Sequence, residues 1–382
     1  MHADLIATLE RWLFDDCLPF WRANAWDAAR GGFVEEFLLD GRDAGRPTKR
    51  LRVAPRQIYV FSHAALLGVT DCEPLIAQGA EWLTTHGFMK DKAAFAHVLT
   101  RDGAISDATI DLYDHAFCLF GFAWAYAATG DAAYRDWAER TLDAIEAHLS
   151  APGGAFLSNP AGQDRRDQNP HMHLLEASLA AHDAFGDDRY AILSRSIVRL
   201  GTEHFMRQGG EVLLEHFGPD FAPAPGEAGR RVEPGHMFEW AWLLHHASDA
   251  LGENQDDRLV RLATAAERMG VNAAGLVSNA CDIDGRIIDA TSRSWPNTER
   301  LKAGVALMER GAASGAGIAN GAADALIRYY LAPQDAGLAR GLWMERRDGA
   351  GGVVADAVPA SILYHLMVAI TEAMRWRRQS AS

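Results

Sequence analysis

Two kinds of helix alternate along this chain. From Asp131 to Leu149 the apolar positions Tyr134, Trp137, Ala138, Leu142, Ile145 and Leu149 fall on one helical face, while Arg135, Asp136, Glu139, Arg140, Asp143 and Glu146 take the other. That pattern predicts an outer helix with one wet side. From Leu112 to Thr129 apolar residues surround the helix after its first turn, as expected of an inner helix enclosed by neighbours. Its most apolar run, Ala116 to Ala128, is too short to span a bilayer.

Short strand-like runs punctuate the helices. Gly32 to Phe37 precedes Asp40-Gly41, Phe95 to Leu99 precedes Asp102-Gly103, and Leu276 to Ser278 precedes Asp284-Gly285. Asp-Gly is a strong hairpin signal. Weaker copies centre on Gly162, Gly218 and Gly349, and the six glycines are separated by 62, 59, 56, 67 and 64 residues. Each interval holds two helices and a loop. Six pairs, with inner helices starting near Val53, Asp111, Asn169, Pro234, Ser294 and Val358, predict an all-α (α/α)6 barrel, with short β-hairpin loops at the active-site end and residues 1–382 as one domain. Neither end carries a polar cap, so a closed ring is expected rather than an open solenoid.

Composition changes this picture only by exclusion. A hydrophobic fraction of 48% supplies a sizeable core, and a net charge of -14 argues against nucleic acid or an anionic membrane as partner, since both need a basic face. Cys17, Cys72, Cys118 and Cys281 form no C-x-x-C pair, so neither a zinc knuckle nor a disulfide framework is expected. The segment Met1 to Leu5 lacks a basic export signal, which makes the cytoplasm the expected location. Oligomeric state is not legible.

The candidate chemistry lies in the opening turns of the inner helices. Arg56, His115, His173 with Glu176, His236 with Glu239, Glu299 beside Trp295, and His365 after Tyr364 recur at spacings of 59, 58, 63, 63 and 66 residues, the structural period itself. A parallel inner ring brings these groups to one end of the barrel, around a cavity walled by Trp295, Trp240, Tyr113 and Tyr364. Aromatic faces and polar tips suit a sugar. His173–Glu176 and His236–Glu239 are spaced as i,i+3 pairs in which the carboxylate holds the imidazole. His171 and His173, or His245 and His246, point apart on a helix, so no metal is expected. Neither a phosphate-cradling nor a dinucleotide-binding glycine motif is present, and no cofactor is expected. A glycoside hydrolase would need opposed carboxyls, which Glu176, Glu239 and Glu299 could supply, but the histidines would then be surplus.

Asn169-Pro170-His171-Met172-His173-Leu174-Leu175-Glu176-Ala177, Pro234-Gly235-His236-Met237-Phe238-Glu239-Trp240, Trp295-Pro296 with Glu299, Tyr364-His365, and Arg56-Gln57 with Tyr59 together resemble the N-acylglucosamine 2-epimerase superfamily over nearly the whole chain. The resemblance implies an (α/α)6 barrel without an obligatory metal, acting as a 2-epimerase or aldose–ketose isomerase. Ser294 to Glu299 and Pro359 to His365 look more like its mannose isomerase and sulfoquinovose isomerase branch. Gly226 to Arg231 departs from the arginine-containing run the family carries there, and Arg231 or Arg230 is expected to supply that arginine. Some members are described as renin-binding, which keeps a non-enzymatic binding protein as a rival.

The expected reaction interconverts D-mannose and D-fructose, or close analogues, through a cis-enediol, with mannose 6-phosphate isomerisation or hexose 2-epimerisation as the alternative. His365 is expected to move the proton between C2 and C1, with His236 assisting ring opening and proton transfer between oxygens. Arg56, with Arg231, is expected to stabilise the enediolate. His173 and Glu176 bind hydroxyls in this scheme, Trp295 packs on the sugar ring, and Glu239, Glu299, Tyr113 and His115 complete the contacts. A phosphate or sulfonate would call on Arg165-Arg166, Arg230-Arg231 or Arg346-Arg347, which precede inner helices.

Overall fold

The computed structural model describes residues 1–162, 165–331 and 337–381. An outer layer consists of α1 (Ala3–Arg11) continuing into α2 (Leu18–Asn24), then α4 (Glu73–Trp82), α6 (Ala132–Leu149), α8 (Asp188–Leu200), α10 (Asp256–Gly270) and α12 (Gly315–Ala325). Inside it stand α3 (Val53–Leu66), α5 (Leu112–Thr129), α7 (Gln168–Phe185), α9 (Pro234–Leu251), α11 (Ser294–Glu309) and α13 (Leu363–Ala381). Each inner helix packs on the next, and α13 returns to α3, so the ring is closed. The amino-terminal α1 packs on α13 and α12, which makes the first and last helices of the chain the sixth pair. This is the (α/α)6 barrel that the period predicts. Among the described residues no helix is long and apolar enough to cross a membrane.

The two helix patterns land where the apolar positions demand. On α6 the residues Ala138, Leu142, Ile145 and Leu149 are buried and the charged face is wet, whereas α5 is buried along most of its length. Its Asp111 caps the first turn by accepting from the Asp114 amide. One helix start differs from expectation. Val358 belongs to the strand Ala357–Pro359, antiparallel to Glu36–Leu38, and α13 begins only at Leu363.

That strand pair is one of five that join neighbouring loops around the mouth of the barrel. The others pair Thr48–Arg50 with Val98–Thr100, Arg166–Asp167 with His216–Phe217, Arg231–Val232 with Ala280–Asp282, and Ser292–Arg293 with Arg346–Arg347. A repeated backbone bond anchors each loop. The carbonyls of Glu35, His97, Ser158, Glu215 and Glu345 accept from the amides of Ala360, Leu51, Leu112, Gln168 and Ser294, at or near the starts of inner helices.

The glycine turns follow the expected period, although Gly162 closes its turn onto Asn159 O without left-handed backbone and two others are displaced. Gly41, Gly103 and Gly285 occupy left-handed backbone, as hairpin turns require, but in the fourth and sixth loops that conformation falls on Phe221 and Gly351 rather than Gly218 and Gly349. There the closing bonds run from Phe221 N to Gly218 O and from Gly351 N to Asp348 O, so Gly218 opens its turn instead of completing it.

Candidate active site

At the hairpin end the inner helices and loops enclose a cavity of about 570 Å³. Arg56, Tyr113, His173, His236, Glu239, Trp295 and His365 all line it. Glu176 and Glu299 lie directly behind its histidines. Trp240 and Tyr364, expected as walls, are fully buried: the indole Nε1 of Trp240 donates to Gln168, and the Tyr364 hydroxyl donates to Glu239 at 3.4 Å.

Each of the three lining histidines uses Nδ1 on a carboxylate, which leaves Nε2 for the cavity. His173 bonds Glu176 at 3.1 Å, His236 bonds Glu215 at 3.0 Å, and His365 bonds Glu299 at 2.7 Å. The first is the expected i,i+3 pair. The second differs from expectation: Glu239 points inward beneath His173, 3.9 Å from it, and the partner of His236 comes from the loop ahead of α9. Trp295 stands between the other two imidazoles, with ring centroids 5.0 Å from His236 and 5.7 Å from His365. Gly235 makes room for it, because a Cβ there would lie 2.7 Å from the Trp295 ring.

The same residue type is held in opposite charge states. Burial disfavours a charged His236, but the charge and hydrogen bond of Glu215, with Glu233 and Glu239 nearby, outweigh it and raise its pKa to about 9. Burial, with the positive charges of Arg56 and Lys302 acting in the same direction, pushes His365 well below the ordinary imidazole range. Burial likewise holds His173 down at about 3 despite the attraction of Glu239. At neutral pH one cavity therefore presents a protonated imidazole and two neutral ones.

Beneath these rings lies an ionic layer. Lys302 is 0% exposed, sits 2.5 Å from Glu299 Oε2, and lies over the Trp242 ring at 3.8 Å. Burial works against its charge, but Glu299, Glu239 and Glu176 together outweigh it and raise its pKa. Burial and the neighbouring Glu239 push Glu299 up, with Lys302 opposing them. The Lys302 ammonium meets Oε2 of Glu299, and Oε1 of the same carboxyl group meets His365 Nδ1. Arg56 crosses the same floor, donating to Ser361 O at 2.9 Å and to the Tyr113 hydroxyl at 2.5 Å while its guanidinium lies 3.9 Å from the Phe117 ring centre.

Besides Glu176 and Glu299, two expected contacts do not reach the cavity, His115 and Arg231. His115 donates from Nδ1 to Asp111 O at 2.8 Å and accepts at Nε2 from the Phe95 amide at 3.0 Å, so both ring nitrogens serve the fold. His171 does the same one repeat later, with Asp167 O and the Phe156 amide, and Asn297 Oδ1 takes the Val277 amide two repeats beyond that. Arg231 pairs with Glu233 at 2.9 Å beside the mouth instead of lining it. Besides Arg56, the arginines that line it are Arg50, Arg52, Arg165 and Arg293, and of these only Arg165 belongs to the expected pairs. Arg230 pairs with Asp284, and Arg346 bonds Thr291.

Among the described residues, three groups bring histidine and carboxylate atoms within 4.8 Å of one another: His173–Glu176–Glu239, Glu239–Glu299–His365 and His97–Asp111–Asp114. Lys302 already supplies positive charge to the second, and Arg52, 2.8 Å from Asp114, does so for the third. The paired histidines expected to diverge do so: His171 bonds backbone while His173 faces the cavity, and His245 meets Glu309 while His246 meets Glu372.

The sequence model of the N-acylglucosamine 2-epimerase (GlcNAc 2-epimerase) family matches residues 31–369. A mannose-6-phosphate isomerase of Rhizobium meliloti (strain 1021) is 34% identical over 375 residues, covering 95% of each chain. The D-mannose isomerase of Thermobifida fusca is 27% identical over 319 residues, 75% of each chain. Among solved structures, cellobiose 2-epimerase from Bacillus thermoamylovorans B4167 superposes with a TM-score of 0.88 at 19% identity, covering 98% of this chain and 100% of that one, a likeness of fold. With three carboxylate-bound histidines lining its cavity, this chain belongs to the N-acylglucosamine 2-epimerase family and is an enzyme of the sugar isomerase and epimerase class.

Proposed function

We propose that the enzyme interconverts an aldose and its ketose through a cis-enediol, with a mannose-type hexose bearing a 6-phosphate as substrate. The observation that carries the reading is the pair of imidazoles flanking Trp295 in different protonation states: His236 holds a proton at neutral pH and His365 does not. Isomerisation needs one group of each kind. His236 gives its proton to the ring oxygen and takes the O1 hydroxyl proton in exchange as the bond from C1 to the ring oxygen breaks and the C1 carbonyl forms. His365 Nε2 then takes the C2 proton, the C–H electrons form the C1–C2 double bond, and the carbonyl pair moves onto O1. Arg56 faces that developing charge and His236 protonates O1. The O2 proton returns to His236 as C2–O becomes a carbonyl, while His365 delivers its proton to C1, so both imidazoles end as they began. His173 and Glu239 bind hydroxyls, and Trp295 packs on the carbon face. Glu176 and Glu299 act through the histidines they hold.

The 6-phosphate is supported by Arg50, Arg52, Arg165 and Arg293 in the cavity wall and by the description of the Rhizobium meliloti relative. Incubation in heavy water with mannose, fructose, glucose and their 6-phosphates, read by NMR, tests both parts. Mannose 6-phosphate is expected to give fructose 6-phosphate with exchange at C1. Faster turnover of the unphosphorylated sugars rejects the phosphate, and absence of exchange in every sugar rejects the reaction. A second reading, 2-epimerisation, is favoured by the placement of imidazoles on both sides of Trp295, from which protons reach opposite faces of C2. Glucose 6-phosphate as the product from mannose 6-phosphate would select it.

A further inference from the structure

The three carboxyl groups that hold the cavity histidines are themselves backed in three ways. Glu215, which meets His236, also accepts from the Gln168 side-chain amide at 2.8 Å and from the Glu233 backbone amide at 3.3 Å. Among the described residues no donor meets Glu176 Oε1. Glu299 is backed by a cation: the Lys302 ammonium, from the next turn of α11, lies 2.5 Å from its Oε2. Its Oε1 lies 2.7 Å from His365 Nδ1. Thr298 Oγ1 is 3.3 Å from the same oxygen but donates to Trp295 O at 2.6 Å. Lys302, Glu299 and His365 therefore form one buried line that ends at the cavity.

A carboxyl group between an imidazole and an ammonium has two proton arrangements. Ionised, it accepts from Nδ1–H and leaves Nε2 bare. Neutral, it donates its O–H to Nδ1, and the imidazole carries its own proton on Nε2. Passing from the first to the second takes one proton from water, and the ring stays neutral. Only the first leaves Nε2 able to receive a proton from carbon. Burial and the nearby Glu239 and Glu176 drive Glu299 toward the neutral arrangement, and Lys302 opposes them. Lys302 keeps its charge, because Glu299, Glu239 and Glu176 outweigh its burial and the Trp242 ring faces it at 3.8 Å. Arg56, the cation contributed by α3, donates to Ser361 O and to Tyr113.

We propose that Lys302 is a positioning residue for the reaction: by holding Glu299 ionised, it fixes His365 as the Nδ1–H tautomer and keeps Nε2 open as the base. His236 works as an acid and His173 binds hydroxyls, so neither calls for a cation behind its carboxylate. The kinetic part of the assignment rests on the proposed isomerisation, whereas the tautomer does not.

The test is heteronuclear NMR of the full chain with isotope-labelled histidine, without sugar and at neutral pH, in which the ring nitrogens of His365 are identified by their loss in His365→Ala. The wild type is expected to show Nδ1 protonated and Nε2 bare. In Lys302→Met the proton is expected on Nε2, with kcat for mannose 6-phosphate lowered about 10²-fold or more and KM unchanged. Lys302→Arg is expected to restore Nδ1–H. Should Lys302→Met not fold, its combination with Glu239→Gln, which removes a negative charge along with the positive one, carries the same tautomer expectation. A bare Nδ1 in the wild type, or Nδ1–H retained without the cation, overturns the assignment. A tautomer change in Lys302→Met beside a wild type that turns over no sugar rejects the isomerisation and leaves the positioning of His365 standing.

Discussion

Glu215 Oε2 lies 3.0 Å from His236 Nδ1, joining a loop residue to the first turn of α9 through a contact in which both groups are buried. The pair sets the charge of His236 and gives a pH dependence with a definite sign. The folded-state pKa, about 9, is above the ordinary value of 6.5, so the protonated form prevails below it and is lost as pH rises through it. Turnover is expected to fall through an alkaline limb near pH 9, and Glu215→Gln is expected to move that limb downward. The pair's contribution to stability is complete below pH 6.5 and disappears between 6.5 and 9, which urea unfolding at the two ends of that range would measure.

Replacing the neutral imidazole separates chemistry from folding. His365→Ala is expected to lower turnover by about 10²–10⁴-fold, the usual worth of a positioned acid–base group, while the helical circular dichroism stays intact. A wild-type rate in this variant would reject His365 as the proton carrier.

Lys302 is expected to be more important to stability than any exposed lysine. Lys302→Met removes the cation from a layer holding Glu299, Glu239 and Glu176, leaving buried carboxylates uncompensated. The expected cost is about 3–5 kcal/mol, as for other broken buried ion pairs. Denaturant unfolding checks it, and Lys302→Arg distinguishes loss of charge from loss of shape.

His115 gives the converse case. Its bonds to the Phe95 amide and the Asp111 carbonyl predict that His115→Ala costs about 1–3 kcal/mol of stability, the penalty for unsatisfied buried groups. With the stability loss offset by lower temperature, KM is expected to stay at the wild-type value.

The barrel was readable because its period is written twice, in the apolar helices and in the polar residues of their opening turns. His173, His236 and His365 follow that rhythm and converge. Glu215 escaped because its partner is 21 residues away across a loop, while helix spacing offered Glu239 as a nearer one. Its signal was the period applied to loops: Glu35, His97, Ser158, Glu215 and Glu345 share one backbone role. Lys302 carries no local mark of burial, since a lysine three residues after a glutamate reads as a surface pair. Arg50, Arg52 and Arg293 lie in or next to strands whose partners are loops of neighbouring repeats, a pairing that intervals along one chain do not encode.

Pairing the amino-terminal helix with the carboxy-terminal one has a consequence for biosynthesis. Arg56 is made long before His365, so a growing polypeptide holds no finished pocket until α13 has emerged and docked beside α1 and α3. Activity is expected to appear only after that docking, and removing α1 or α13 should abolish turnover before it abolishes helicity.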